Sequence, residues 1–202
     1  MQILGDITED QMIGSFLNGE LNSVRFFSAL KDEMKLLNIN SQIIREPNFL
    51  NSKDNLLRRK LFGKFREYGE NKKLFENFPT DIQWKRVSLS SQEVLKIRYI
   101  NYSYWDEISK QTHSPITAAE TIEKGEEIFG VSNKNFLKAA EFLRNGGNFP
   151  EMVLVAKNED SQLIVLEGHL RLTAYSLASD RIPKKLIAVV GFSENISNWG
   201  DY

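Results

Sequence analysis

A chain of 202 residues with 41% hydrophobic and 11% aromatic content is long enough to bury one sizeable core or two small ones, as a folded globular protein does. A net charge of −1 and a pI near 6.2 give it no global attraction to nucleic acid or to an anionic membrane surface. The lack of cysteine excludes disulfides, thiolate metal sites and cysteine nucleophiles, and two histidines, His113 and His169, are too few for a histidine-rich metal centre.

Thr8-Glu9-Asp10-Gln11 has capping-box spacing. Ile13, Phe16, Leu17, Leu21, Val24, Phe27, Leu30, Met34 and Leu37 continue as a helical stripe that Gly19 is expected to divide in two. Asn38-Ile39-Asn40 ends the stripe, a short Ile43-Ile44 segment and Pro47 follow, and Ser52 is expected to cap a third helix with Leu57, Leu61 and Phe65 on one face. Residues 1–80 are thus expected to form a helical N-terminal region, with a domain boundary near Pro79. Its densest basic segment, Arg58 to Arg66 followed by Lys72-Lys73, reads either as a solvated helix face with Phe62 packed beneath it or as a phosphate or RNA surface.

Asp81 to Leu89 alternates apolar and polar residues as a half-buried strand does, and Ser90 or Ser91 can cap a short helix over Glu93 to Ile97. Tyr99 to Glu107 is the most aromatic stretch. Tyr99, Tyr102 and Trp105 stand at helical spacing, which suits core packing or a wall, with Tyr102 and Trp105 as candidates, on which a base could stack. Asp106 and Glu107 follow as adjacent carboxylates: a solvated helix end, or a pair able to hold a metal ion or accept a proton. Lys110 to Pro115 reads as a loop with His113 at the surface. A short helix is expected over Thr117 to Gly125 and a clearer one through Phe136, Ala139, Ala140 and Leu143, closed by Asn145-Gly146-Gly147-Asn148 in a left-handed cap.

Met152 to Ala156 and Leu163 to Leu166 are apolar strands joined by the polar turn Lys157 to Ser161, a hairpin, and Leu186 to Gly191 supplies one more strand. After Leu166 the apolar residues Leu170, Ala174, Leu177 and Ala178 recur at helical spacing, so the period changes at Gly168. A glycine there lets the backbone turn sharply and a ligand approach it, while the first N–H groups of the helix, lacking intrahelical partners, can face an anion. Glu167, His169 and Arg171 bracket that turn with a carboxylate, an imidazole and a fixed cation, types suited to phosphate recognition or phosphoryl transfer. The same Glu167 and Arg171 also suit a buried structural ion pair.

Helix, glycine turn, proline, strand, polar turn, strand, Gly-x-x-Arg-x-x-Ala, helix, Ile-Pro, strand is the order from Phe136 onward. Carried by Phe136 to Leu143, Gly146 to Pro150, Val153 to Val155, Gly168 to Ala174 and Ile182-Pro183, it resembles the ParB/sulfiredoxin-like fold. The resemblance implies an α+β protein in which a nucleotide-binding domain, a small mixed sheet with flanking helices, occupies residues 81–202. It implies that Gly168, His169, Arg171 and Thr173 hold nucleotide phosphates. Partition proteins of this kind bind and hydrolyse CTP, sulfiredoxins use ATP, and some free-serine kinases phosphorylate an amino acid. Glu167-Gly168-His169-Leu170-Arg171 looks closest to the Asp-Gly-His-His-Arg form of the kinase-like branch, departing from it at Glu167 and Leu170. Sulfiredoxin chemistry is excluded by the lack of cysteine, and no helix-turn-helix module of the partition type follows the last strand.

The expected function is therefore binding of ATP, ADP or CTP, with Mg²⁺ shielding the phosphates and phosphoryl transfer to a small-molecule acceptor or to water. Glu167 or Glu107 would act as base, with His169 beside them. One alternative is a nucleotide-gated interaction module without turnover. Another is a DNA or RNA binder using Arg58, Arg59, Lys64 and Arg66 with the aromatic stretch. No apolar run approaches the roughly 18 residues of a membrane span and Met1 to Asp6 does not resemble a leader, so no membrane partner and a cytoplasmic location are expected.

Overall fold

In the computed structural model, which describes residues 1–202, the chain opens with an edge strand, β1 (Gln2–Asp6). Its residues are mostly exposed and its pairing shifts register between Ile3 and Gly5, so it carries no apolar alternation by which sequence could reveal it. Helix α1 (Glu9–Leu21) begins at the expected box: Thr8 accepts from the Gln11 N–H, and the Gln11 side chain accepts from the Thr8 N–H. The stripe breaks at residues 22–26 and resumes as α2 (Phe27–Leu36), so Gly19 lies inside α1 and is not the divider. The short α3 (Gln42–Arg45) precedes α4 (Ser52–Arg66), whose cap is Asn51 instead of Ser52, its side chain accepting from the N–H groups of Lys53 and Asp54.

Strand β2 (Gln83–Leu89) leads through a second capping box, Ser90 with Glu93, into α5 (Ser91–Lys96). Helices α6 (Ser103–Ile108), α7 (Pro115–Glu123) and α8 (Lys134–Arg144) follow, the last closed by Gly146 at φ 82°. Then come β3 (Met152–Ala156), β4 (Ile164–Glu167), α9 (His169–Leu177) and β5 (Leu186–Phe192). The five strands form one sheet in the order β1-β2-β5-β3-β4, with β3 parallel to β5 and every other pair antiparallel. The fold is thus α+β with a mixed sheet, and β3 and β4 make the expected hairpin.

The sheet is apolar on both faces, so each needs its own cover. Leu154, Ala156, Val165, Ala188 and Val190 pack beneath α5, α7, α8 and α9. Val153, Val155, Ile164, Leu166, Val189 and Trp84 pack beneath α1, α2 and α4. The N-terminal residues are therefore one layer of a three-layer molecule: β1 extends the sheet, and the Trp199 indole N–H donates to the Leu74 carbonyl at 2.7 Å. After Pro79, expected as a domain boundary, the chain passes from the helices over the second face of the sheet into β2, and Ile100, Ile196 and Trp199 complete the cover of that face. No helix is long and apolar enough to cross a membrane.

Candidate functional site

At the end of β4 the chain turns through Gly168 with φ 113° and ψ 19°, a left-handed conformation that favours glycine. A Cβ there would lie 2.8 Å from Met152 Cγ and 2.9 Å from Arg171 Nη2, so the turn also needs glycine for space. No side chain caps the first turn of α9. Arg171, in the first turn of that helix, folds back and donates from Nη2 to the Glu167 carboxylate, both residues being buried. Its Nη1 is equally buried and has no hydrogen-bond partner. Burial pushes the Glu167 carboxyl upward, against the pull of Arg171.

His169 is only partly exposed and its Nε2 is shielded without a partner. Its ring runs nearly parallel to those of Trp105 at 4.9 Å and Tyr99 at 6.1 Å. Desolvation first, then the cations Arg66, Arg171 and Arg25, lowers its pKa to about 3, so the imidazole is neutral at physiological pH. Thr173, expected on the phosphates, points into the core instead. Its hydroxyl meets the Tyr99 hydroxyl at 2.7 Å and donates to the His169 carbonyl at 2.8 Å, which uses its hydrogen-bonding capacity.

A second arginine-carboxylate pair reaches the turn from the opposite layer. Gly19 lets α1 press onto β4, since a Cβ there would sit 2.5 Å from Glu167 Oε2. The next residue, Glu20, is 1% exposed and accepts from Arg66 Nη2. Burial raises the Glu20 pKa to about 7, with Arg66 opposing and Glu167 adding to the rise. The Arg66 guanidinium lies over the ring of Phe26 at 4.2 Å, and its Nε is buried without a partner. Two carboxylates and two guanidinium groups are thus enclosed between α1 and α4 on one side and β4 and α9 on the other. Enclosed pairs of this kind compensate their desolvation only while both partners stay together.

The other expected site residues lie outside this cluster. Glu107 is exposed on α6 and makes no side-chain hydrogen bond or ion pair, and Tyr102 is 49% exposed. Trp105 is no open platform for a base: besides His169 and Tyr99 it has Tyr104 edge-on at 5.0 Å and Phe136 at 6.1 Å. Asp106 faces His113 Nε2 at 3.3 Å. In the basic segment, Arg58 is fully buried and donates to the Ile43 carbonyl at 2.8 Å, and Arg59 is paired with Asp10 at 2.6 Å. With Arg66 on Glu20, only Lys64 of the four candidate nucleic-acid contacts is exposed and unpaired. The segment is a solvated face at Arg59, Lys60 and Lys64 with Phe62 buried beneath, and Arg58 departs from it, enclosed by Phe49 and the carbonyls of α3 and its following loop.

No three His, Asp or Glu side chains converge anywhere, and the carboxylates at the turn each face an arginine. The expected Mg²⁺ would therefore rest on the nucleotide phosphates together with whichever carboxylate a phosphate releases from its arginine, Glu167 being the one beside the turn. An open cavity of about 700 Å³ lies elsewhere, walled by Tyr68, Phe75, Phe78 and Trp84. Of its polar groups, the Tyr68 hydroxyl is paired with Glu9 at 2.8 Å and Lys85 with Asp6 at 3.0 Å, while the side chains of Thr80 and Gln83 make no hydrogen bond. Comparison with protein-family models, curated proteins and solved structures finds no match to this chain.

Sequence reasoning found the turn but missed Gly19 and Glu20, and it read Arg66 only as part of a basic run. A signal for Glu20 exists. It falls on the apolar stripe of α1, three and four residues after Leu17 and Phe16, where a carboxylate requires a partner.

Proposed function

We propose that this chain binds the phosphates of a nucleotide (ATP, ADP or CTP) at the Gly168 turn and acts as a ligand-gated module. A phosphate takes the place of the Glu167 carboxylate on Arg171, and the layer of α1, α2 and α4 rearranges over it. The observation that carries the reading is Arg171 itself. It is buried beside a left-handed glycine turn and a helix N-terminus, with one guanidinium nitrogen on an anionic group and the other on nothing. A guanidinium fork that accepts a carboxylate has the geometry to accept a phosphate, and the first N–H groups of α9 add to the attraction. The mixed sheet and the strand, glycine turn, helix order also support the resemblance to the ParB/sulfiredoxin-like fold.

Binding is favoured over turnover by the state of the candidate bases. Glu167 is tied to Arg171, His169 is a very weak base, and Glu107 is exposed outside the cluster. Phosphoryl transfer stands as the second reading because a phosphate on Arg171 would free the Glu167 carboxylate beside it.

Calorimetry with ATP, ADP and CTP tests the proposal. At least one should bind the wild type, and Arg171→Lys, which keeps the charge but loses the fork, should weaken it by about 1.5–3 kcal/mol. A wild type indifferent to all three ends the nucleotide reading. Phosphate release or a phosphorylated acceptor in the same samples would move the conclusion to the second reading.

A further inference from the structure

The enclosure around Arg171 holds a second guanidinium that the Gly168 turn does not explain. Arg66 belongs to α4, in the other layer, yet its partner Glu20 directly follows Gly19, whose backbone packs against the Glu167 carboxylate held by Arg171, so the two ion pairs adjoin across the layers. Like Arg171, it spends one end on a carboxylate and leaves a buried nitrogen unpartnered. Each arginine balances one carboxylate, so the cluster is neutral only while no further charge joins it.

A phosphate that inserts between the two pairs carries about one and a half to two negative charges. Alongside two ionised carboxylates it would leave the cluster strongly negative in a medium that screens poorly. Glu167, at a strand end beside the turn, can be displaced by the phosphate it resembles. Glu20 has no comparable exit while α1 is seated. The charged groups acting on it are Arg66 from α4, Glu167 from β4 and Arg171 from α9. None can neutralise it once Arg66 turns to the phosphate.

Resting on the phosphate reading, we infer that Arg66 is the second guanidinium of the anion site and that Glu20 releases it by taking up a proton as the ligand binds. The proton comes from solvent, the Arg66–Glu20 contact breaks, and Arg66 gains a phosphate oxygen. The neutral Glu20 carboxyl remains as a hydrogen-bonding group, tolerable where a bare carboxylate is not. Burial has already brought this carboxyl to about 7, and added negative charge raises it further. Affinity should therefore fall as pH rises above 7, by up to about tenfold per pH unit where one proton is taken up. The site would span two layers of the fold, so that a ligand bridging Arg66 and Arg171 ties the N-terminal helices to the turn.

The experiment is calorimetric titration of the full chain with ATP, CTP and inorganic pyrophosphate from pH 6.5 to 8.5, in buffers of low and high ionisation heat. Differences from Glu20→Gln cancel the titration of the probes themselves. The wild type should take up a proton and weaken several-fold or more between pH 7 and 8. Glu20→Gln should take up none from this position and hold its affinity at pH 8. Arg66→Gln should weaken binding at least tenfold at every pH; should it unfold, Arg66→Lys, retaining charge without the fork, should fall between it and the wild type. Equal proton uptake in wild type and Glu20→Gln, or full affinity in the folded Arg66 variant, overturns the inference and leaves the phosphate reading standing. A wild type that binds none of the probes at any pH overturns both.

Discussion

His169 on α9 and Glu20 on α1 respond to pH in opposite directions. The His169 pKa is depressed from 6.5 to about 3 in the folded chain, so its contribution is complete above pH 6.5 and is lost as pH falls toward 3. That of Glu20 is raised from 4.5 to about 7, so its contribution is complete below pH 4.5 and is lost as pH rises to 7. Between these limits the two slopes oppose each other. Urea unfolding should accordingly show His169→Phe losing stability from pH 4.5 to 7 relative to the wild type, and Glu20→Gln gaining it from pH 4.5 to 6.5. Each change should be on the order of 1–2 kcal/mol, less than full burial implies because His169 is partly exposed and Glu20 retains Arg66. Variants whose profiles run parallel to the wild type would show that neither group titrates abnormally.

The elements that form the site meet at two glycines with different duties. Gly168 is needed for its dihedral angles, and Gly19, inside a regular helix, is needed for its lack of a side chain. In an open helix Gly19→Ala would stabilise by about 1 kcal/mol through propensity alone. Here the added methyl meets the Glu167 carboxylate, and we expect a net loss of about 1–3 kcal/mol in thermal or urea unfolding, with a comparable or larger loss for Gly168→Ala. A stabilised Gly19→Ala would mean that α1 does not press on β4. The difference between these glycines also marks where sequence was readable. The Gly168 turn was legible because hydrophobic period changes across it, and the box at Thr8 and a serine cap at residue 90 or 91 because capping is local chemistry. Gly19 was misread as a breaker, since a glycine that interrupts a helix and one that admits a neighbour look identical in one dimension. The Glu20–Arg66 pair, 46 residues apart, forms only because α1 and α4 share a face of the sheet, and no local pattern encodes that. β1 escaped because an exposed edge strand has no buried side to imprint on its sequence.

At the scale of the whole molecule the sheet is held between two independent apolar layers, and neither is dispensable. Removing residues 1–80 would bare Val153, Val155, Leu166 and Val189, each contributing about 1.5–3 kcal/mol when buried, against a total margin of about 5–15 kcal/mol for a typical domain. Residues 81–202 alone are thus expected to lack a cooperative melting transition and to bind the dye ANS; a sharp transition with no dye binding would show that the second layer is accessory. The strand order carries a consequence for synthesis. β5 is the last strand in sequence and the one that joins the β1-β2 pair to the β3-β4 hairpin. Until Phe192 has left the ribosome the nascent chain has two sheet fragments with open inner edges and two sets of helices with no common platform. Productive collapse of the sheet is deferred until β5 has emerged, which makes β5 the segment whose delay would most promote aggregation.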